Sequence, residues 1–202
     1  MTKVLNKFDS EKIISKYLPI AKHQMITSKN GTAKLKFPLF AKGIAKEIPH
    51  AKRAGFLKKA GTDKELKAII LEMDKNAKKK KIKLDGILLQ EQIQGNEFII
   101  GIKKDFTFGH VIMLGIGGSH AEEIKDVSFR LCPMSKLEAK KMAQDLKNQA
   151  LLKGINTDKL YSALEKISKL PNTIKNLKEL DINPIFVNEK DAIVVDALIV
   201  LE

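Results

Sequence analysis

The 202-residue chain has one cysteine, no tryptophan and only two arginines, Arg53 and Arg130. A single cysteine, Cys132, excludes an internal disulfide and fits a reducing compartment; it reads as a small buried hydrophobe. Aromatic residues make up 5% of the chain, too few for a base-stacking platform. No apolar run approaches the ~20 residues that cross a bilayer. Met1 to Asp9 contains no apolar leader segment, so the expectation is a cytoplasmic protein. No Ser-His-Asp order, no Cys/His metal spacing and no sequential carboxylate pair for glycoside chemistry stands out.

What the chain has in abundance is lysine. The net charge is +13, a balance that invites a nucleic-acid reading. Arginine, the residue that reads bases and stacks on them, is nearly absent. A basic surface attracts nucleotides and other anionic substrates equally well. The Lys78 to Lys81 run reads as a solvated helix end, where cations suit the dipole.

Turn chemistry and hydrophobic period divide the chain. Asp9 or Ser10 caps a short helix carrying Ile13, Ile14, Tyr17 and Leu18, which Pro19 interrupts. Asn30-Gly31 marks a turn, and Phe37 to Gly43 is a short buried strand. Thr62 and Glu65 form a capping box. The helix they open has Leu66, Ile69, Ile70, Met73 and Ala77 on one face. Strands follow at Gly86 to Glu91, Glu97 to Lys103, His110 to Ile116 and Val127 to Leu131. Ser135 and Glu138 open a helix with Met142, Leu146 and Ala150, stopping at Gly154. Leu160, Leu164 and Ile167 mark another. Strands clustered with helices, without regular alternation, predict an α+β or mixed α/β fold.

The last hairpin carries the sharpest chemistry. Side chains alternate along a strand, so Glu179, Asp181 and Asn183 share one face. A polar turn at Asn188 to Asp191 pairs Val187 with Ala192. Counting back, Asn183 lies opposite Asp196, with Cβ atoms about 4.5–5.5 Å apart. Asp196 sits inside the apolar run Ile193 to Leu201, where a lone carboxylate is costly. A hard cation with oxygen ligands, Mg²⁺ above all, offsets that cost. The alternative is an exposed edge-strand aspartate beside a turn.

Gly115-Ile-Gly-Gly118 follows a predicted strand. Its backbone N–H groups can approach phosphate oxygens, although a plain strand-end turn has the same pattern. Lys42, ending an apolar strand, can reach a phosphate or simply solvate. His50, in a lysine-rich loop, can carry a phosphoryl group on a ring nitrogen or be merely exposed. His23, His110 and His120 have no stronger claim.

Taken in order, these segments resemble a known family. They are Leu88-Leu-Gln-Glu-Gln-Ile93, Gly95-Asn-Glu97, Ile99-Ile-Gly-Ile-Lys-Lys-Asp105, Phe108-Gly109 and Val111-Ile-Met-Leu-Gly-Ile-Gly-Gly118. Glu122, Lys125-Asp-Val-Ser-Phe-Arg-Leu131 and Glu179-Leu-Asp-Ile-Asn-Pro-Ile-Phe-Val187 complete the set. The chain resembles the β subunit of ADP-forming acetyl-CoA synthetases, related to the succinyl-CoA synthetase β chain.

That resemblance implies an ATP-grasp fold of two lobes, with residues 1–85 as the first and 86–202 as the second. It implies that Lys42 touches nucleotide phosphates and that Gln90, Glu91 and adjoining backbone hold adenine. It places Glu97 at the ribose, Gly117 and Gly118 near the phosphates, and Asn183 and Asp196 on Mg²⁺. It makes His50 the acceptor of phosphate from a histidine of a CoA-binding α subunit, passing it to ADP to form ATP. The usual assembly is a heterotetramer of two α and two β chains, with no membrane partner. Two departures stand out. Arg53 occupies the position of the family's loop aspartate, and Gly55 alone remains of a glycine pair. Together with a first lobe shorter than the family's before Lys42, as though one helix were missing, they support an alternative: a degenerate subunit that binds nucleotide or the α chain without phosphoryl transfer. A basic nucleic-acid-binding protein is the third reading.

Overall fold

Thr62 shows how local chemistry starts the structure. In the computed structural model, which describes residues 2–27, 31–45, 55–118 and 125–202, its side chain accepts the Glu65 amide at 3.2 Å. Glu65 returns a carboxylate oxygen to the Gly61 amide at 2.7 Å. The helix so capped, α2 (Asp63–Lys79), buries Leu66, Ile69, Ile70, Met73 and Ala77, the face its period predicts. Thr62→Ala removes one of these two links. It is expected to lower stability by about 1 kcal/mol, read from the urea midpoint at unchanged slope.

Contacts divide the chain into two compact units, Ala21–Gln92 and Met1–Ile20 with Ile93–Glu202. The smaller is a four-stranded sheet ordered β2 (His23–Ile26), β5 (Gly86–Glu91), β3 (Leu39–Ile44), β4 (Leu57–Ala60). All its pairings are antiparallel. Helix α2 covers one face, and its buried residues form a core with Leu39, Ala41, Phe56, Ala60, Ile87 and Leu89.

The larger unit is a seven-stranded sheet. Its main path runs β1 (Lys3–Val4), β11 (Ala197–Leu201), β9 (Leu177–Val187), β6 (Asn96–Asp105), β7 (Gly109–Ile116), β8 (Val127–Leu131). Strand β10 (Ala192–Val194) also pairs with β9. Its core joins Phe98, Ile100, Ile102, Ile112 and Leu114 of the strands to residues of three helices. These are α1 (Lys7–Ile14), α3 (Lys136–Gln144) and α4 (Thr157–Ser168). Along β6 the alternate residues Glu97, Ile99 and Gly101 are only half-buried and face away from that core.

The division falls differently from a break at residue 85. Strand β5 pairs with β2 and β3, so Gly86 to Glu91 belong with the first lobe's sheet. Strand β1 pairs with β11, which carries the N-terminal segment to the other unit.

Two expected helix ends also differ. The cap of α1 is Asn6, whose Oδ1 accepts the Asp9 amide at 2.9 Å. Ser10 is fully buried and its Oγ accepts the Ile199 amide at 3.1 Å. Helix α3 stops at Gln144, well before Gly154. The buried Asp126 accepts the amides of Lys147 and Asn148, each at 2.8 Å. Those N–H groups are thereby drawn out of the helical ladder. Cys132 is half-buried, and desolvation pushes its thiol up to about 12, as suits a packing residue. Among the described residues no helix is long and apolar enough to cross a membrane.

Candidate functional site

The C-terminal hairpin has the register its turn requires. Val187 pairs Ala192, Ile185 pairs Val194 and Ile182 pairs Ala197. In that register Asn183 faces Asp196. The ladder is interrupted there, but the Asn183 amide donates to the Asp196 carbonyl at 3.1 Å. A shift in the β6–β9 pairing between Phe98 and Ile100 sets Asn183 and Pro184 in a bulge. Such bulges re-aim side chains beside functional sites.

Asp181 lies two residues from Asn183 on the same face. Desolvation raises its carboxyl above the usual aspartate range, and the Asp196 carboxylate adds to the rise. Two carboxylates in mutual electrostatic reach, with an amide oxygen available, form a hard-oxygen donor set that fits a divalent cation. No group of three or more His, Cys, Asp or Glu side chains holds a metal geometry among the described residues.

Glu97, near the start of β6, and Gly101 share a face of the sheet, and Gly101 pairs with Asp181. A shallow cavity of about 420 Å³ continues this face past Asp181, lined in part by Gly101, Lys103, Met113, Phe129 and Glu179. The glycine loop leaves β7 beside Glu97. The Gly117 amide donates to the Glu97 carbonyl at 2.7 Å. A Cβ on Gly117 would stand 2.6 Å from Glu97 Cγ and 3.1 Å from its backbone. Gly118 has φ +100°, a left-handed conformation that favours glycine. Gly117→Ala is expected to cost about 1–3 kcal/mol and to displace Glu97. Thermal denaturation, together with nucleotide titration, checks both effects.

In the smaller unit Lys42 sits opposite Leu88, and Phe40 opposite Gln90. Lys42 and Gln90 thus share a sheet face, diagonal neighbours on adjacent strands. Alternation puts that face opposite the one bearing Leu39 and Ala41, which packs on α2. Glu91 serves the chain itself: its Oε1 accepts the Lys22 amide at 3.0 Å. His50, with Arg53, lies outside the described residues.

Within the larger unit the structure brings together Asn183, Asp196 and Asp181 on one hairpin, and Glu97 with Gly117. Within the smaller it brings together Lys42 and Gln90. Sequence reasoning missed Lys7, whose Nζ lies 2.7 Å from Asp196 Oδ1. The available signal was a Lys-Glu pair at i, i+4 whose glutamate falls among apolar helix positions.

A family model described as an ATP-grasp domain matches residues 1–201. The chain is 36% identical over 197 residues to the ADP-forming 4-hydroxybutyrate–CoA ligase of Nitrosopumilus maritimus, covering 90% of this chain and 28% of that protein. It is 31% identical over 214 residues to the β subunit of the ADP-forming acetate–CoA ligase II of Pyrococcus furiosus, covering 97% of this chain and 91% of that one. Among solved structures, it is similar to acetyl-coenzyme A synthetase 1 of Ca. Korarchaeum cryptofilum with coenzyme A and Mg-AMPPCP, in which a phosphohistidine segment points towards the nucleotide-binding site. The TM-score is 0.84 at 28% identity, covering 99% of this chain and 93% of that one. The chain spans less than a third of the Nitrosopumilus maritimus ligase and nearly all of the Pyrococcus furiosus β subunit.

Proposed function

Because this chain belongs to the ATP-grasp family, alongside the β subunits of ADP-forming acetate–CoA ligases, we propose that it is the nucleotide-binding, phosphoryl-transferring part of such an enzyme. The observation that carries the reading is the cross-strand pair Asn183 and Asp196, on the same hairpin as Asp181.

The reaction is acyl-CoA, ADP and phosphate giving acid, CoA and ATP, reversibly. The CoA and acyl-phosphate chemistry belongs to a partner α subunit, joined with this chain in a heterotetramer in the cytoplasm. This chain performs the last step. Gln90 and the backbone at Glu91 hold the adenine, and Glu97 the ribose. The amides at Gly117 and Gly118 and the Lys42 ammonium receive the phosphates. Asn183 and Asp196 hold Mg²⁺, which supplies charge neutralisation to the phosphates when bound. His50 takes a phosphoryl group from the partner's phosphohistidine and presents it to ADP. Its N–P bond then breaks as a terminal ADP oxygen forms the new P–O bond, and the ring nitrogen keeps the electron pair. Phosphoryl transfer is chiefly positioning and charge stabilisation, so no further base is needed.

The test is ATP formation when the chain is mixed with its α subunit, acetyl-CoA, phosphate, Mg²⁺ and ADP. Activity supports the reading. Intact Mg²⁺-dependent nucleotide binding without ATP formation favours the degenerate-subunit reading, for which Arg53 in the His50 loop is the specific support.

A further inference from the structure

Lys7 is the first residue of α1, with Asn6 as its cap. A cation in the first turn opposes the helix dipole, so helix stability does not account for it. Its ammonium sits close to three oxygens. Nζ lies 2.6 Å from Glu11 Oε1 and 2.7 Å from Asp196 Oδ1. It also donates a hydrogen bond to the Val195 carbonyl at 3.1 Å, while the Glu11 and Asp196 carboxylates hold it as ion pairs. The Glu11 side chain is 3% exposed and that of Lys7 18%. A buried carboxylate anchors the lysine from below, and the lysine in turn grips the Asp196 carboxylate and the carbonyl just before it.

We propose that Lys7 is a positioning residue for the cation site: through Glu11 it locks one oxygen of Asp196 and the backbone at Val195, so that the carboxylate is already set for Mg²⁺. This rests on reading Asn183 and Asp196 as the cation's ligands. Two effects compete. The lysine charge repels a nearby cation, whereas the tether spares Asp196 the loss of rotamer freedom on binding. Partners that orient metal ligands are typically worth 10–100-fold in metal affinity, and the three-point grip on Lys7 puts the tether ahead.

The test is Mg²⁺ titration of ADP binding by calorimetry, with Mn²⁺ binding followed by electron paramagnetic resonance. Wild type, Lys7→Met/Glu11→Leu and Lys7→Arg are compared. The double variant replaces the buried ion pair by apolar groups, a change that folded proteins often accept without loss. Its Mg²⁺ midpoint is expected to rise about tenfold, with ADP affinity in EDTA unchanged. Lys7→Arg keeps charge and donors, and returns the midpoint to within about threefold of wild type. An unchanged or lower midpoint in the double variant overturns the inference while the cation site stands. Absence of any Mg²⁺ effect in wild type overturns the site reading, and the inference with it.

Discussion

Alanine at position 196 is expected to remove the Mg²⁺ dependence of nucleotide binding and to slow ATP formation by about 10²–10³-fold, the cost typical of deleting one preorganised electrostatic contact. The expectation follows from the hairpin. Asp196 is the acidic residue that faces Asn183 across the hairpin, and an amide alone holds a hard cation poorly. The fold should survive, because Lys7 keeps its bridge to Glu11 at 2.6 Å and to the Val195 carbonyl at 3.1 Å. Steady-state ATP formation and the far-ultraviolet dichroism of the variant separate lost chemistry from lost structure. Full activity in Asp196→Ala would remove the carboxylate from the mechanism.

His50→Ala is expected to split the two properties that Asp196→Ala loses together. An imidazole that carries the phosphoryl group has no substitute in alanine, so ATP formation should fall by at least about 10³-fold, as for other covalent carriers. Binding of nucleotide with Mg²⁺ should stay within about twofold of wild type, since histidine acts only in the transfer. Incubation with α subunit whose phosphohistidine carries a radiolabelled phosphoryl group adds a direct reading: label should appear on the wild-type chain and be absent from His50→Ala. Label on the variant would assign the carrier role elsewhere.

Much of the candidate site was legible because it is local. The turn between Val187 and Ala192 fixes the hairpin register, and a two-residue period carries it to Asn183 and Asp196 without any distant information. Helix α2 was legible for the same reason: its cap and apolar face lie within one segment. Elements whose limits are set far away in sequence were not. Helix α3 ends where Asp126 captures two amides, which no pattern inside the helix records. The lobe boundary moves because β1 pairs with β11 from the opposite end of the chain. Lys7 meets Val195 across 188 positions, so its place beside Asp196 is a product of topology. The glycine loop lies between these cases. Its sequence announces a close approach, but only the structure shows that Glu97 is what Gly117 approaches.

The most direct measurement is calorimetric titration of the wild-type chain with ADP in Mg²⁺ and again in EDTA. The account predicts saturable one-site binding that Mg²⁺ tightens by at least about tenfold, as for a cation shared between phosphate and protein oxygens, with that tightening lost in Asp196→Ala. Binding that is absent, or the same in EDTA as in Mg²⁺, would contradict it.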